Sequence, residues 1–478
     1  MQPSRIRSHW IFAAALTLTL SCSGASQTAN LSLVPRVDQR VELLSIVFHL
    51  AGSPVYNMSP LSTYTADIDN YFAPYKDHPA VRLAKKFSDS DDMDISAPMA
   101  LAVHVSDPPD LAPIVPIDQI PVGRTDDGGQ FLKMLREFYR DTNFAAFFAG
   151  HRALYDLAES RFRGIVSSVD LAWYPRFYGE APKGRYLLIL AMNNGAASYG
   201  PQVTLPDGTE ERYAVIGCQK VDNSGAPTFN ADYLPDIIHE LNHSFVNPLV
   251  HELKQEFAVA GRVYAPVAEK MRNPPNAYAD SEVMVQESLV RAGVILYRQS
   301  KGASSSDLRR MIVNEQARGF VWMDGLCDLL RQYESQRKRY PTLRSFMPAI
   351  LAFYRQLADN ITAKITAFNQ QCVHVVGIEP FLNHSENVDS GTKQLIATFD
   401  KPLDPNRISI LTGPGGDEHY PISGAPEFLA GNRSLKLPLT LKPNWSYGFV
   451  LSSLAFATPD GYPLEDYTIT FKTAGQHY

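Results

Sequence analysis

The chain has 478 residues, 45% of them hydrophobic and 20% charged, and 44 Lys and Arg against 50 Asp and Glu leave a net charge of -6. That balance describes a folded body and offers no basic stripe for nucleic acid, so no nucleic-acid partner is expected. Of the cysteines, Cys22, Cys218, Cys327 and Cys372, the last three permit at most one disulfide and lack zinc-finger spacing, so the fold does not depend on disulfides. The length suits two or three domains.

In chain order, Arg5 and Arg7 precede an apolar stretch from Trp10 to Leu20, followed by Ser21-Cys22-Ser23-Gly24. This is the pattern of a bacterial export signal, too short to span a bilayer. Cys22 after the small Ser21 resembles a lipobox, in which the thiol is acylated and becomes the new N-terminus, although Thr19 stands where Leu is usual. Cleavage after Ala25 would instead give a secreted protein. Residues 1–22 are thus expected to form an export signal with Cys22 as the lipidation site, and 23–36 a tether. The expected location is an outer-membrane, cell-surface or periplasmic lipoprotein, held to the membrane through Cys22, or alternatively secretion.

Residues 37–371 are expected to form one α+β body, richer in helix than strand, with an N-terminal part over 37–180 and a catalytic part over 181–371. In the first part Val41 to Leu50 is strand-like, Tyr71 to Phe87 helical and Met99 to Val105 strand-like. Asp107-Pro108-Pro109-Asp110 breaks the pattern, and Gln130 to Val166 has helical spacing. Arg185 to Met192 is a continuous apolar run with β character, ended by the turn signal Asn193-Asn194-Gly195.

His239-Glu240-Leu241-Asn242-His243 carries the chemistry. Four residues are just over one helical turn, so His239 and His243 share a face and can reach one tetrahedral ion. Glu240 leans over the same ion, where it can act as general base toward water activated by the metal and return the proton to a leaving amine. Asp232 as cap, Pro235 in the first turn, the apolar spacing of Ile237, Ile238, Leu241, Phe245 and Leu249, and a stop at Asn247-Pro248 place the motif in a helix.

A zinc site of this kind needs a third protein ligand. Ser281 to Leu296 is apolar on nearly every face and reads as a buried helix, which puts Glu287 in a dry place. Such a carboxylate stays charged through a metal bond, through an ion pair with Arg291 one turn on, or both, with Arg291 orienting the ligand. The rivals are Glu282, about 140° away on the same helix, and Glu269 or Glu256. His251, Tyr264, Tyr278 and Tyr297 are equivalent candidates to stabilise an oxyanion.

At these residues the chain resembles gluzincin-type zinc metallopeptidases, in which His-Glu-x-x-His on one helix is completed by Glu on a later one. From Asp38 to Gln371 it looks like an uncharacterised, domain-of-unknown-function family of secreted bacterial zincin-like proteins. That likeness rests on Arg40-Val41-Glu42-Leu43-Leu44-Ser45, Tyr71-Phe72, His78-Pro79, Asn194-Gly195, Tyr199-Gly200, the His239 motif, and Glu287 with Arg291-Ala292. The resemblance implies Zn2+ on His239, His243 and Glu287, Glu240 as general base, and a zincin-like body. It also implies a strand upstream of the motif as the edge where substrate adds, a role Arg185 to Met192 could fill. The gap from His243 to Glu287 is longer than in thermolysin-like enzymes.

After Glu287, helical patterns cover about Ser306 to Arg318, Phe320 to Tyr340 and Leu343 to Asn369. Over 375–476 come short strand-like segments, Val375 to Phe381, Gln394 to Phe399, Arg407 to Leu411, Ser434 to Leu437, Ser446 to Leu451 and Tyr467 to Phe471, separated by turn residues. This spacing reads as an all-β sandwich. Thr398-Phe399-Asp400-Lys401-Pro402-Leu403-Asp404 resembles a signature of bacterial Ig-like domains, which implies a spacer or an adhesion and glycan-binding module.

The expected function is zinc-dependent hydrolysis of peptide bonds in a peptide or protein substrate at the cell envelope. The alternatives are a catalytically silent surface protein binding proteins or glycans, and a zinc amidase acting on cell-wall material.

Overall fold

The computed structural model describes residues 33–89, 96–117, 120, 127–180, 184–195, 197–272 and 278–475. The export signal, Cys22 and nearly all of the tether lie outside the described residues. Among the described residues no helix is long and apolar enough to cross a membrane.

The chain enters through strand β1 (Pro35–Val37) and helix α1 (Gln39–Leu50). Helix α1 corrects the strand expected over Val41 to Leu50. Asp38 caps it by accepting from the Arg40 N–H at 2.9 Å, and Val41 to Phe48 are buried on every side, so no helical period shows in the sequence. The helical run from Tyr71 splits into α2 (Ser62–Tyr71) and α3 (Pro79–Asp89), because Pro79 opens a new helix in its first turn. Met99 to Val105, expected as strand, lies mostly in α4 (Ala97–Val103), which is buried at every position but Ala100 and has Pro98 at its start. The stretch from Gln130 becomes α5 (Asp127–Asp141), α6 (Phe144–Gly150) and α7 (Arg152–Val166), followed by α8 (Trp173–Tyr178).

Strands β2 (Arg185–Ala191), β3 (Gln202–Thr204) and β4 (Glu210–Gly217) complete a sheet of order β1-β2-β4-β3. The first three strands in that order are parallel and β3 is an antiparallel edge. This corrects the edge role considered for Arg185 to Met192: β2 is paired on both sides. Its unbroken apolar run is what a strand covered on both faces requires.

The second half of the body is helical: α9 (Leu234–Glu252), α10 (Ala260–Tyr264), α11 (Ala268–Arg272), α12 (Ser281–Ser300), α13 (Ser305–Ala317), α14 (Met323–Ser335) and α15 (Leu343–Asn369). Sheet and helices share one hydrophobic core that runs from Leu33 to Cys372. Cys218, Cys327 and Cys372 are free, buried thiols within it.

Beyond α15 the chain is all β. Strands β5 (Val375–Glu379), β6 (Gln394–Phe399), β7 (Ile410–Thr412), β8 (Glu427–Phe428), β9 (Ser434–Pro438), β10 (Ser446–Leu451) and β11 (Tyr467–Lys472) form two antiparallel sheets. Their orders are β5-β6-β9-β8 and β11-β10-β7. Alternate residues such as Leu395, Ala397, Leu435 and Leu437 from one sheet meet Tyr447, Phe449, Leu451 and Ile469 from the other in a second core. The whole is therefore a helix-rich α+β body followed by an antiparallel β unit.

Candidate metal centre

Helix α9 presents the motif. Its entry is capped by Asn230, not Asp232: Asn230 Oδ1 accepts from the Asp232 N–H at 3.1 Å in the turn leading to the helix. Pro235 sits in the first turn, where its missing N–H costs nothing. The helix also runs through Pro248 to Glu252 rather than stopping at Asn247. Buried Leu249 and Val250 continue the apolar stripe past the proline, and their packing outweighs the one backbone hydrogen bond lost.

Helix α12 lies against α9 and brings Glu287 to the two imidazoles. His239 Nε2 and His243 Nε2 are 3.0 Å apart, His239 Nε2 is 3.6 Å from Glu287 Oε2, and His243 Nε2 is 3.4 Å from Glu287 Oε1. Donor atoms around a tetrahedral ion with bonds near 2.0–2.1 Å are about 3.3 Å from one another. The spacings, taken to a different Glu287 oxygen for each imidazole, lie around that value, so the group could hold a small cation. Asn247 Oδ1, 3.0 Å from His243 Nδ1, accepts that ring's N–H and so turns Nε2 toward the group.

Glu287 is 8% exposed, a level at which an unsupported carboxylate would be costly. Arg291 Nε donates to its Oε2 at 3.1 Å and the Tyr278 hydroxyl donates to the same oxygen at 3.0 Å. Arg291 in turn pairs with Glu315 at 3.0 Å and bonds the Tyr278 hydroxyl, so the ligand is held from behind by a connected network. Burial works against the charge on Glu287, but the imidazole of His239, Arg291 and His243 outweigh it and hold the carboxyl well below the usual range. Burial holds His239 well below its ordinary value. His243 is pushed the other way, to about 9, because its bond to Glu287 overcomes the burial that opposes its charge.

Glu240 is half-buried on the wall of a cavity of about 300 Å³ that it shares with Asp236, His239, Arg291, Glu315 and Arg318. Burial raises its carboxyl to about 7. The backbone of Gly200 passes directly over it, since a Cβ built there would lie 2.2 Å from Glu240 Oε2. Tyr199, next to it, exchanges both backbone hydrogen bonds with Val215 of β4, so the sheet's edge runs alongside the metal group.

The rival carboxylates stand elsewhere: Glu282 bonds His251 at 2.8 Å, while Glu256 and Glu269 are exposed. Of the four oxyanion candidates, Tyr278 reaches the group through Glu287. His251 is exposed, Tyr264 donates to the Tyr278 carbonyl, and Tyr297 accepts from the Asp170 N–H. Sequence reasoning passed over Asn242, whose side chain donates to the Val290 carbonyl at 3.1 Å and accepts from the Tyr178 hydroxyl at 2.9 Å. Its signal was present: an amide on the apolar face of a helix needs partners across the interface. Gly200, Asn247 and Glu315 carried no such signal, because their roles arise from distant parts of the chain.

No curated protein matches the chain. Among solved structures, CopC from Methylosinus trichosporium OB3b is 19% identical over 22% of this chain and 97% of that one, with a TM-score of 0.18. Native α2-macroglobulin from Escherichia coli, domains MG0-NIE-MG1, is 20% identical over 23% and 35%, with a TM-score of 0.16. Domains 1–6 of the surface layer protein SbsC are 18% identical over 51% and 34%, with a TM-score of 0.17. Likeness at this level carries no argument about fold or function. Residues 33–353, which include all three potential ligands, match the family model described as Domain of unknown function (DUF4932), and the chain belongs to that family.

Proposed function

We propose that this protein is a zinc-dependent peptidase of the gluzincin type, working at the bacterial cell envelope. The single observation behind this reading is the grouping of His239, His243 and Glu287, whose donor atoms all lie within 4.8 Å of one another, beside Glu240. Zinc held there supplies Lewis-acid activation of water and of a substrate carbonyl. Glu240, on the wall of the cavity beside His239, takes the proton from the attacking water and passes it to the leaving amine. Arg291 and Tyr278 fix the orientation of Glu287. The outer edge of β3 and the neighbouring Tyr199-Gly200 segment offer a backbone on which an extended substrate can be laid.

The export signal and Cys22 support an envelope location, with a lipid anchor on Cys22. The C-terminal β unit is proposed as an Ig-like domain on the strength of its two sheets and the Phe399 to Asp404 signature.

The test is metal analysis and peptide cleavage on the purified chain. Native protein should carry one zinc and cleave unfolded casein, read by mass spectrometry of the products. Glu240→Gln should keep zinc and lose cleavage, and Glu287→Ala should lose zinc. A zinc-loaded native protein that cuts no peptide, or a Glu240→Gln variant that still does, overturns the reading.

A further inference from the structure

The cavity beside Glu240 adjoins a larger one through a shared lining residue. Arg318, at the C-terminus of α13, lines both that cavity and a larger hollow of about 760 Å³ between the body and the C-terminal β unit. From the body this hollow takes Asn314 and Asn369, and from the β unit Arg407, Ser453 and Asp466. Asn314 also walls a smaller cavity of about 290 Å³, which shares Pro235 and Met311 with the cavity beside Glu240. Helix α13 thus contributes lining residues to all three cavities.

The hollow is spanned by contacts between its two walls. The Arg309 guanidinium donates to the Tyr462 hydroxyl at 2.7 Å, and Gly461 packs on the Arg310 side chain. Near the start of the β unit, Lys401 donates to the carbonyls of Cys372 and Gln370 at 2.6 and 3.2 Å. Its chemistry is mixed. Asn314 and Asn369 can donate to and accept from peptide groups, Arg407 and Asp466 supply opposite charges, and Leu454 on its rim is 74% exposed. A phosphorylated ligand would call for one sign of charge, and a lipid for an apolar wall.

We infer that these adjoining cavities act as one groove, an extended-substrate site: a stretch of unfolded polypeptide several residues from the scissile bond lies in it. The β unit is then part of the substrate-binding surface. This inference rests on the peptidase reading for the identity of the occupant.

The test uses the full zinc-loaded chain with Ser453→Trp, which fills the hollow, and Arg407→Glu, which reverses a charge. For each, kcat/KM is compared for unfolded, carboxymethylated casein and for a short quenched peptide that occupies only the metal cavity. The expected result is a fall of about tenfold in the casein-to-peptide ratio, expressed through KM. An unchanged ratio in both variants overturns the inference. Should the native protein cleave neither substrate, the peptidase reading fails on its own, and binding still decides the groove. Fluorescence anisotropy of labelled casein on the Glu240→Gln chain should show weakening of about tenfold on adding Ser453→Trp. Equal binding with and without that change, or no binding of casein at all, overturns the inference.

Discussion

Gly293 of α12 leaves the room that Asn242 of α9 occupies: a Cβ built on the glycine would lie 2.8 Å from Asn242 Nδ2. The two residues set the spacing of the helices that carry the three potential ligands. Asn242→Ala would leave the Tyr178 hydroxyl without its acceptor, take a second bond from the helical Val290 carbonyl and open a small void, a loss of about 3 kcal/mol. Urea denaturation should read that loss directly. Gly293→Ala should weaken zinc binding as well, by forcing α9 and α12 apart, and calorimetric titration with zinc would expose an unchanged affinity if the helices simply tolerate the methyl group.

Arg291→Met should lower zinc affinity by about 10- to 100-fold while Glu287 remains in place. The guanidinium reaches Glu287, Glu315 and the Tyr278 hydroxyl together, which a single ammonium cannot do, so Arg291→Lys should not restore the affinity. Competition against a chromophoric chelator measures both variants. Full rescue by lysine would show that charge alone matters.

Gly200→Ala should displace the Glu240 carboxylate, because that side chain's end is the movable partner in the 2.2 Å approach. A misplaced base costs about a hundredfold in kcat. Zinc content and thermal stability should stay near native, which separates this variant from a misfolded one. Retention of native kcat would mean that the carboxylate does its work from another position.

Glu42 gives a pH dependence of stability. It is fully buried in α1, where its carboxyl accepts from the Met192 N–H and the Tyr64 hydroxyl at 2.7 Å each, and burial raises it to about 7. An unfolded chain releases that proton near 4.5, so between about 4.5 and 7 the folded state binds more protons than the unfolded one. This group's contribution is therefore present in full below about 4.5 and is lost as pH rises through about 7, a change of about 3 kcal/mol. Glu42→Gln should flatten that part of the profile. Thermal melts of both proteins from pH 4.5 to 8 test it, and parallel curves would remove Glu42 as the cause.

The sequence was informative where a period or a spacing carried the signal. The run from Leu343 to Asn369 shows a clean helical period and is one helix, and Gln394 to Phe399 alternates and is one strand. It misled at Val41 to Phe48 and Met99 to Val103, where burial on nearly all sides erases the period that separates helix from strand. For the metal group, His239 and His243 are four residues apart and legible as a pair, whereas Glu287 was reached through its dry surroundings and the nearby Arg291. Tyr278 stood among four equal candidates, since no local pattern tells which tyrosine turns toward a carboxylate. Asn247, read as a helix stop, turned out to orient His243, because packing carried the helix beyond Pro248.

Strand β3 pairs with β4 over only Gln202 to Thr204, and Pro201 and Pro206 close it at both ends. Among the described residues no strand pairs with its other side. An open edge is an invitation to aggregate, and short length with flanking prolines is how proteins blunt it. Here the same truncation limits the exposed backbone to a few residues, which under the proposed function is enough for a brief guest strand near Gly200 and Glu240.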